Sequence, residues 1–244
     1  MVAAVNDQFG GGIAMIVGVT LARLGFTDAF RQYVKGSMGK WIVLAGVVLA
    51  LLGAWRVLFH RPETDDDQDH DHDHDHREPK VALLLLLPVL AVFLIAPPSL
   101  GTYAADRGPA PADGRGAGET VPLSAFGPLP PEVDGAVPLT LSMYNEREVY
   151  GGGSTLDGVK IRLVGLAAPE KDGSDIHLVR FSIACCAADA QANVVVIRGL
   201  PSPRPVRDQW IEVIGRRVPG LVDGYPVIKA ESWIDVKAPA EPYE

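Results

Sequence analysis

Apolar residues are concentrated in the first hundred positions of the chain, where they form runs of membrane-crossing length. These runs lie at about 9–26, 41–59 and 81–100. A helix needs about 20 apolar residues to cross the hydrocarbon core of a bilayer. Trp41 and Trp55 stand near the ends of the second run, where aromatic rings favour the membrane interface. We therefore predict a membrane domain over residues 1–103 with about three transmembrane helices. The alternative is a set of buried helices in a soluble core.

From about residue 139 onward, apolar and polar residues alternate with a period of two, which is the pattern of half-buried β-strands. Turn-forming residues bound each alternating stretch. The predicted strands cover 159–165, 177–183, 194–197, 210–215 and 227–236. A W-x-x-V-x-G strand from Trp210 to Gly215, followed by a hairpin into a long last strand, favours an OB-fold-like five-stranded barrel over 139–244. An immunoglobulin-like sandwich is the alternative, although it needs about seven strands.

Residues 104–138 separate these two regions. They are rich in Ala, Pro and Gly and show no periodicity, a composition typical of a flexible or extended linker. The predicted fold class is thus an α-helical membrane region followed by a linker and a C-terminal all-β domain.

Charge and motifs limit the range of functions. The formal net charge of −8 argues against a nucleic-acid partner, because phosphate recognition requires a basic surface. No phosphate-binding loop, nucleophile–base pair or paired catalytic carboxylate motif is recognisable in the chain. We therefore expect a protein that is not an enzyme and that contacts the lipid bilayer.

An acidic histidine tract lies between the second and third apolar runs, inside a predicted loop at 62–79. Its last part alternates the two residue types, as His70, Asp71, His72, Asp73, His74, Asp75 and His76. Imidazole and carboxylate together suit zinc or another divalent transition metal. Such a flexible site would be weak, exchangeable and sensitive to pH, because the imidazoles must be neutral to bind. A solvated acidic loop without metal is the alternative.

The two cysteines of the chain are neighbours, Cys185 and Cys186, and Asp189 follows three positions later. Thiolates are strong ligands for zinc or copper, and a carboxylate can add an oxygen. The alternatives are small buried hydrophobic residues or a redox-active thiol pair. Arg180, on the preceding strand, is expected to pair with Asp189 in a structural role.

The C-terminal domain contains four short motifs: R-F-x-I-x-C-C-x-A-D-A, W-x-x-V-x-G, P-V-I-K-A and P-x-x-P-Y. The residues that carry them are Arg180, Phe181, Ile183, Cys185, Cys186, Ala188, Asp189, Ala190, Trp210, Val213, Gly215, Pro226–Ala230, Pro239, Pro242 and Tyr243. Together with the order of spans, His/Asp-rich loop and linker, they resemble the YcgQ-like bacterial family, whose members are described as subunits of a two-component permease. This resemblance implies a separate polytopic permease of the YcgR-like type as partner.

The resemblance also bears on orientation. Loop charges alone leave orientation open, because the first and second spans each have four basic residues in their last turns and the loop that follows. Many members of the YcgQ-like family begin with basic residues, which implies a cytoplasmic N-terminus. Three spans would then place the histidine loop in the cytoplasm and the barrel outside. We expect a multi-pass protein of the bacterial plasma membrane with an extracytoplasmic C-terminal domain.

The function expected from these features is that of a membrane accessory subunit of a permease that handles or senses a divalent metal ion. Two alternatives stay open. The first is a membrane-anchored barrel that binds an envelope protein and has no transport role. The second is a thiol enzyme or redox protein acting through the cysteine pair, which would need an accessible thiol of low pKa beside a cation.

Overall fold

The computed structural model describes residues 2–59, 99–105, 122, 125–170 and 175–244. The chain divides into two compact units. The first contains the N-terminal helices, and the second joins the short segment Arg31–Lys35 to the chain from Ser99 to Glu244. Most of the third predicted span, together with the histidine tract, lies outside the described residues.

Helix α1 spans Val2–Phe26 and helix α2 spans Gly39–Phe59. Two of the three predicted spans therefore coincide with helices. Among the described residues, only the stretch Gly36–Phe59 is long and apolar enough to cross a membrane by length and composition, whereas the apolar part of α1, Gly10–Phe26, is shorter. The expectation of three spanning helices thus has structural support for one of them.

Glycines line the contact surface between α1 and α2. Every seventh residue along one side of each helix is a glycine: Gly11, Gly18 and Gly25 on α1, and Gly39, Gly46 and Gly53 on α2. Those of α2 are the buried residues of that helix. Seven residues are close to two turns of an α-helix, so the glycines share one face. A Cβ on Gly46 would lie 2.5 Å from the Ala22 nitrogen, because the two backbones are in direct contact.

Large apolar side chains of α2 point away from this contact surface. Leu51, Leu52 and Leu58 are each more than 60% exposed. A soluble helical pair shows the reverse arrangement, with its large apolar residues inside. Small residues inside and large apolar residues outside are the arrangement found between helices in a lipid bilayer.

The barrel consists of five strands: β2 Ile161–Pro169, β3 Ile176–Ser182, β4 Gln191–Arg198, β5 Trp210–Val222 and β6 Tyr225–Asp235. They pair in the order β2-β3-β4-β6-β5, and β5 pairs again with β2, so the sheet closes. The β4–β6 pair is parallel, and the other pairs among these five strands are antiparallel. A two-residue strand β1, Val137–Pro138, adds to β2 in parallel. The predicted five-stranded closed barrel is confirmed, and the two-sheet sandwich is not formed by these strands.

Two short helices flank the barrel: α3, Thr102–Ala105, and α4, Leu141–Val149. The alternation of the domain gave no sign of α4. Thr140 caps the helix by accepting a hydrogen bond from the Met143 N–H at 3.1 Å. The fully buried Tyr144 anchors α4 to the barrel, because its hydroxyl donates to the Val227 carbonyl at 2.7 Å.

Part of the predicted linker also packs against α4. The buried Arg147 donates to the Gly127 carbonyl at 2.6 Å, and its guanidinium lies 5.5 Å from the centre of the Phe126 ring. Phe126 and Gly127 of the predicted linker are therefore held against α4 by a hydrogen bond and a ring contact.

We predict that Gly46→Ala destabilises the pair of α1 and α2 by about 1–3 kcal/mol, because the new methyl group must displace backbone atoms of the opposing helix. The change should lower the thermal midpoint of the helical circular dichroism signal in detergent. Gly12→Ala is the matched control, because nothing lies within 4 Å of a Cβ placed there. Equal midpoints for the two variants would contradict the backbone contact.

Candidate metal centre

The cysteine pair lies in the turn that connects β3 to β4. Ile183 is buried beyond the end of β3, and the chain then reaches the surface at Ala184. A short 3₁₀ helix, Ala187–Asp189, completes the turn before β4 begins at Gln191. Cys185 is exposed and Cys186 is half-buried. Both are free thiols, and the turn exposes the Cys185 side chain to solvent while the Cys186 side chain is half-buried.

Asp189 holds the backbone of this turn in place. Its Oδ1 accepts a hydrogen bond from the Ala184 N–H at 2.8 Å. Its Oδ2 accepts from the N–H groups of Cys185 at 2.8 Å and Cys186 at 3.2 Å. Three successive N–H groups thus converge on one carboxylate, which fixes the direction in which both thiols leave the backbone.

Cys186 takes the role that serine or threonine has in a capping box. Its Sγ accepts the Asp189 N–H, while the Asp189 carboxylate accepts the Cys186 N–H. The reciprocal bonds close the single turn of 3₁₀ helix. Cys186 therefore has a structural role in the turn in addition to offering a sulfur atom.

The sulfur atoms are spaced for a shared cation. The Cys185 and Cys186 Sγ atoms lie 3.7 Å apart. Two thiolates bound to one zinc ion at about 2.3 Å with tetrahedral angles would be about 3.8 Å apart. A ligand atom from each of Cys185, Cys186 and Asp189 lies within 4.8 Å of the other two. Small side-chain rotations would bring all three onto one ion.

The electrostatics of the turn favour a protonated Cys185 thiol in the absence of a cation. The hydrogen bond to the Asp189 carboxylate, followed by that to Cys186, raises the pKa of Cys185 to about 11. The hydrogen bond from the Cys185 thiol, followed by those from the backbone N–H groups, lowers the pKa of Asp189 to about 2. The arrangement opposes a thiolate nucleophile at neutral pH, which needs a lowered pKa.

The same bonds show how a metal would enter. A carboxylate has about four acceptor positions. Three are used by backbone N–H groups, and the Cys185 thiol also bonds to the carboxylate. A cation that displaced the Cys185 proton would free that position while the backbone bonds remained. Two thiolates and one carboxylate carry three negative charges, which suits a divalent ion.

The remaining motif residues have structural partners. The sequence led us to expect that Arg180 pairs with Asp189, but the structure shows other partners for Arg180. Its guanidinium donates instead to the carbonyls of Glu241 at 2.9 Å and Pro242 at 3.2 Å, and it lies 5.8 Å from the centre of the Trp210 ring. It therefore holds the C-terminal segment against the barrel.

Phe181 and Gly215 are also structural. Phe181 is 4% exposed in the core cluster beneath the cysteine turn. Gly215 lies at a register shift between β5 and β6, where a Cβ would collide with the Lys229 carbonyl.

The residues of the histidine tract, which are His70, Asp71, His72, Asp73, His74, Asp75 and His76, lie outside the described residues. Their part in any site stays a prediction.

Sequence reasoning missed the segment Arg31–Lys35, which contacts the cysteine turn. The Lys35 N–H donates to the Cys185 carbonyl at 3.2 Å, and the Ala187 N–H donates to the Tyr33 carbonyl at 2.7 Å. The only sequence feature that pointed to an extended segment here is weak: Tyr33 and Val34 are two strand-forming residues between two apolar runs. Nothing in its spacing indicated a partner about 150 residues away.

Comparison with protein families identifies matches at both ends of the chain. Residues 11–109 match the DUF1980 N-terminal domain, and residues 143–244 match the DUF1980 C-terminal domain. No curated protein matches the chain. The second range contains the barrel and the cysteine turn, and the first contains most of α1 and all of α2.

We predict that Asp189→Asn accelerates alkylation of Cys185 at about pH 9, because losing the hydrogen bond to the carboxylate, and with it the carboxylate charge, lowers the pKa of the thiol toward its usual value of about 8.5. Both proteins would carry Cys186→Ser, so that the rate of iodoacetamide labelling against pH reports on Cys185 alone. Asp235→Asn removes an exposed carboxylate that does not contribute to the pKa of Cys185 and serves as the control. A rate profile unchanged by Asp189→Asn would contradict the assigned hydrogen bond.

Proposed function

The chain belongs to the bacterial DUF1980 family, whose two domains match most of its length, and we propose that it is a membrane accessory subunit of a permease that binds a divalent transition metal at its cysteine turn. The permease role is what the resemblance of its motifs to the YcgQ-like family implies. The observation that carries the proposal is that the Sγ atoms of Cys185 and Cys186 lie 3.7 Å apart beside the carboxylate of Asp189.

The donor set favours one class of ion. Thiolates select soft or borderline metals such as zinc and copper, whereas calcium and magnesium require mainly oxygen ligands. Asp189 is the one carboxylate in the described ligand cluster. Zinc usually takes four ligands and the cluster offers three, so one position would be available to water or an incoming ligand. An open position suits an ion that is passed on.

The N-terminal helices support membrane attachment. The stretch Gly36–Phe59 is of spanning length, and the large residues of α2 face outward. We propose that these helices lie in the bacterial plasma membrane and dock to a separate polytopic permease, with the histidine tract collecting metal in the cytoplasm and the barrel outside. The OB-like barrel would then carry the site at which metal is received or released.

The direct test is the metal content of the purified full chain in detergent after loading with zinc and removal of excess ion. We expect about one strongly bound zinc per chain, as for a thiolate site, and loss of this ion in Cys185→Ser/Cys186→Ser. Ala184→Ser/Ala188→Ser is the matched control, because it changes two exposed residues of the same turn and leaves all three ligands in place.

Three outcomes would count against parts of the proposal. Absence of bound zinc in the natural chain would overturn the metal site and favour the alternative of a membrane-anchored barrel that binds an envelope protein. Loss of zinc only in His70→Ala/His72→Ala/His74→Ala/His76→Ala would move the site to the tract. Unchanged metal accumulation in cells carrying Cys185→Ser/Cys186→Ser would separate metal binding from transport.

A further inference from the structure

We infer that the segment Arg31–Lys35, hereafter the connector, is a positioning part of the metal centre and that metal binding and connector docking strengthen each other. This inference rests on the proposed metal site. The connector joins α1 to α2 in the chain, yet it belongs to the same compact unit as the barrel.

The connector pairs with the cysteine turn as a small piece of antiparallel sheet. Val34 forms a bridge with Cys186. The hydrogen bonds of this bridge run from the Lys35 N–H to the Cys185 carbonyl and from the Ala187 N–H to the Tyr33 carbonyl. They bind the backbone on both sides of Cys186, so the position of its sulfur depends on the connector.

Two further contacts hold the connector in place. The Tyr243 hydroxyl donates to the Gln32 carbonyl at 2.8 Å and accepts from the Leu100 N–H at 3.3 Å. Arg31 forms an ion pair with Glu241 at 2.8 Å. Tyr243 itself is 8% exposed in the core cluster that also contains Phe181. The connector is therefore tied to the part of the core from which the cysteine turn emerges.

The turn is thus held from two sides by different means. Asp189 binds the N–H groups of residues 184 to 186, and the connector binds the Cys185 carbonyl and the Ala187 N–H. A metal ion gains affinity when its ligands are held in place before it binds. By thermodynamic linkage, an ion that prefers the turn with the connector docked must stabilise that docking by the same factor.

Lys35→Pro tests this link in the full chain, because proline lacks the N–H that bonds to Cys185. We expect zinc affinity to fall by about three- to tenfold, the range for loss of one hydrogen bond. In metal-free protein we also expect faster alkylation of the half-buried Cys186. Lys35→Ala retains the N–H and should restore both properties.

Tyr243→Phe provides an independent test, because it removes the hydroxyl that holds Gln32 without changing the turn or the connector. We expect the same direction of change with a smaller loss, within about threefold. Tyr150→Phe, an exposed tyrosine on another part of the barrel unit, is the matched control.

The outcomes separate the two proposals. If the natural chain binds zinc and both Lys35→Pro and Tyr243→Phe bind it with unchanged affinity, the connector has no part in the site and the inference is overturned, while the proposed function stands. If the natural chain binds no zinc, the proposed function fails and the coupling fails with it. Unchanged Cys186 labelling in the metal-free variants would overturn the docking itself.

Discussion

Closure of the barrel through β2 is the constraint on which the candidate site depends. The first half of β2 pairs with β5 and its second half with β3, and both pairings meet near Gly165 and Leu166. A Cβ on Gly165 would lie 2.9 Å from the Leu178 Cγ and from the Val179 carbonyl oxygen, so the two strands can approach only because the side chain is absent. This approach fixes β3, and the end of β3 determines where the cysteine turn leaves the core.

The negative charge of Asp189 has two opposite electrostatic effects in the turn: it disfavours a thiolate and favours a cation. The Asp189 carboxylate raises the pKa of the Cys185 thiol and so makes it a poor nucleophile. The same negative charge would attract a cation, and the hydrogen bonds from the Cys185 thiol and then from the backbone N–H groups keep the Asp189 carboxylate ionised by lowering its pKa. A site of this kind reacts slowly with electrophiles and offers ligands to a metal ion. That combination favours the proposed metal ligation over thiolate catalysis at Cys185.

The sequence predicted the elements whose periodicity is local. Alternation located the five barrel strands, and apolar length located α1 and α2, because each pattern reports on neighbours a few residues apart. The sequence did not predict helix α4. Its nine residues lie in a domain whose other elements alternate, and its packing depends on one tyrosine, Tyr144. Cys185, Cys186 and Asp189 could be grouped because they are adjacent in the chain. The connector could not, because it reaches the turn through backbone hydrogen bonds, which carry no residue signature.

The adjacency of the two cysteines has a consequence for how the protein matures. Ligands that are neighbours in the chain stay neighbours when it is unfolded, so a newly made polypeptide already offers a dithiol to metal. Binding to the unfolded chain subtracts from the stabilisation that an ion gives the native state. Folding therefore adds to the metal affinity of the dithiol only what Asp189 and the connector contribute. At the proposed site, metal would stabilise the native state only as strongly as those two supports improve on a bare dithiol.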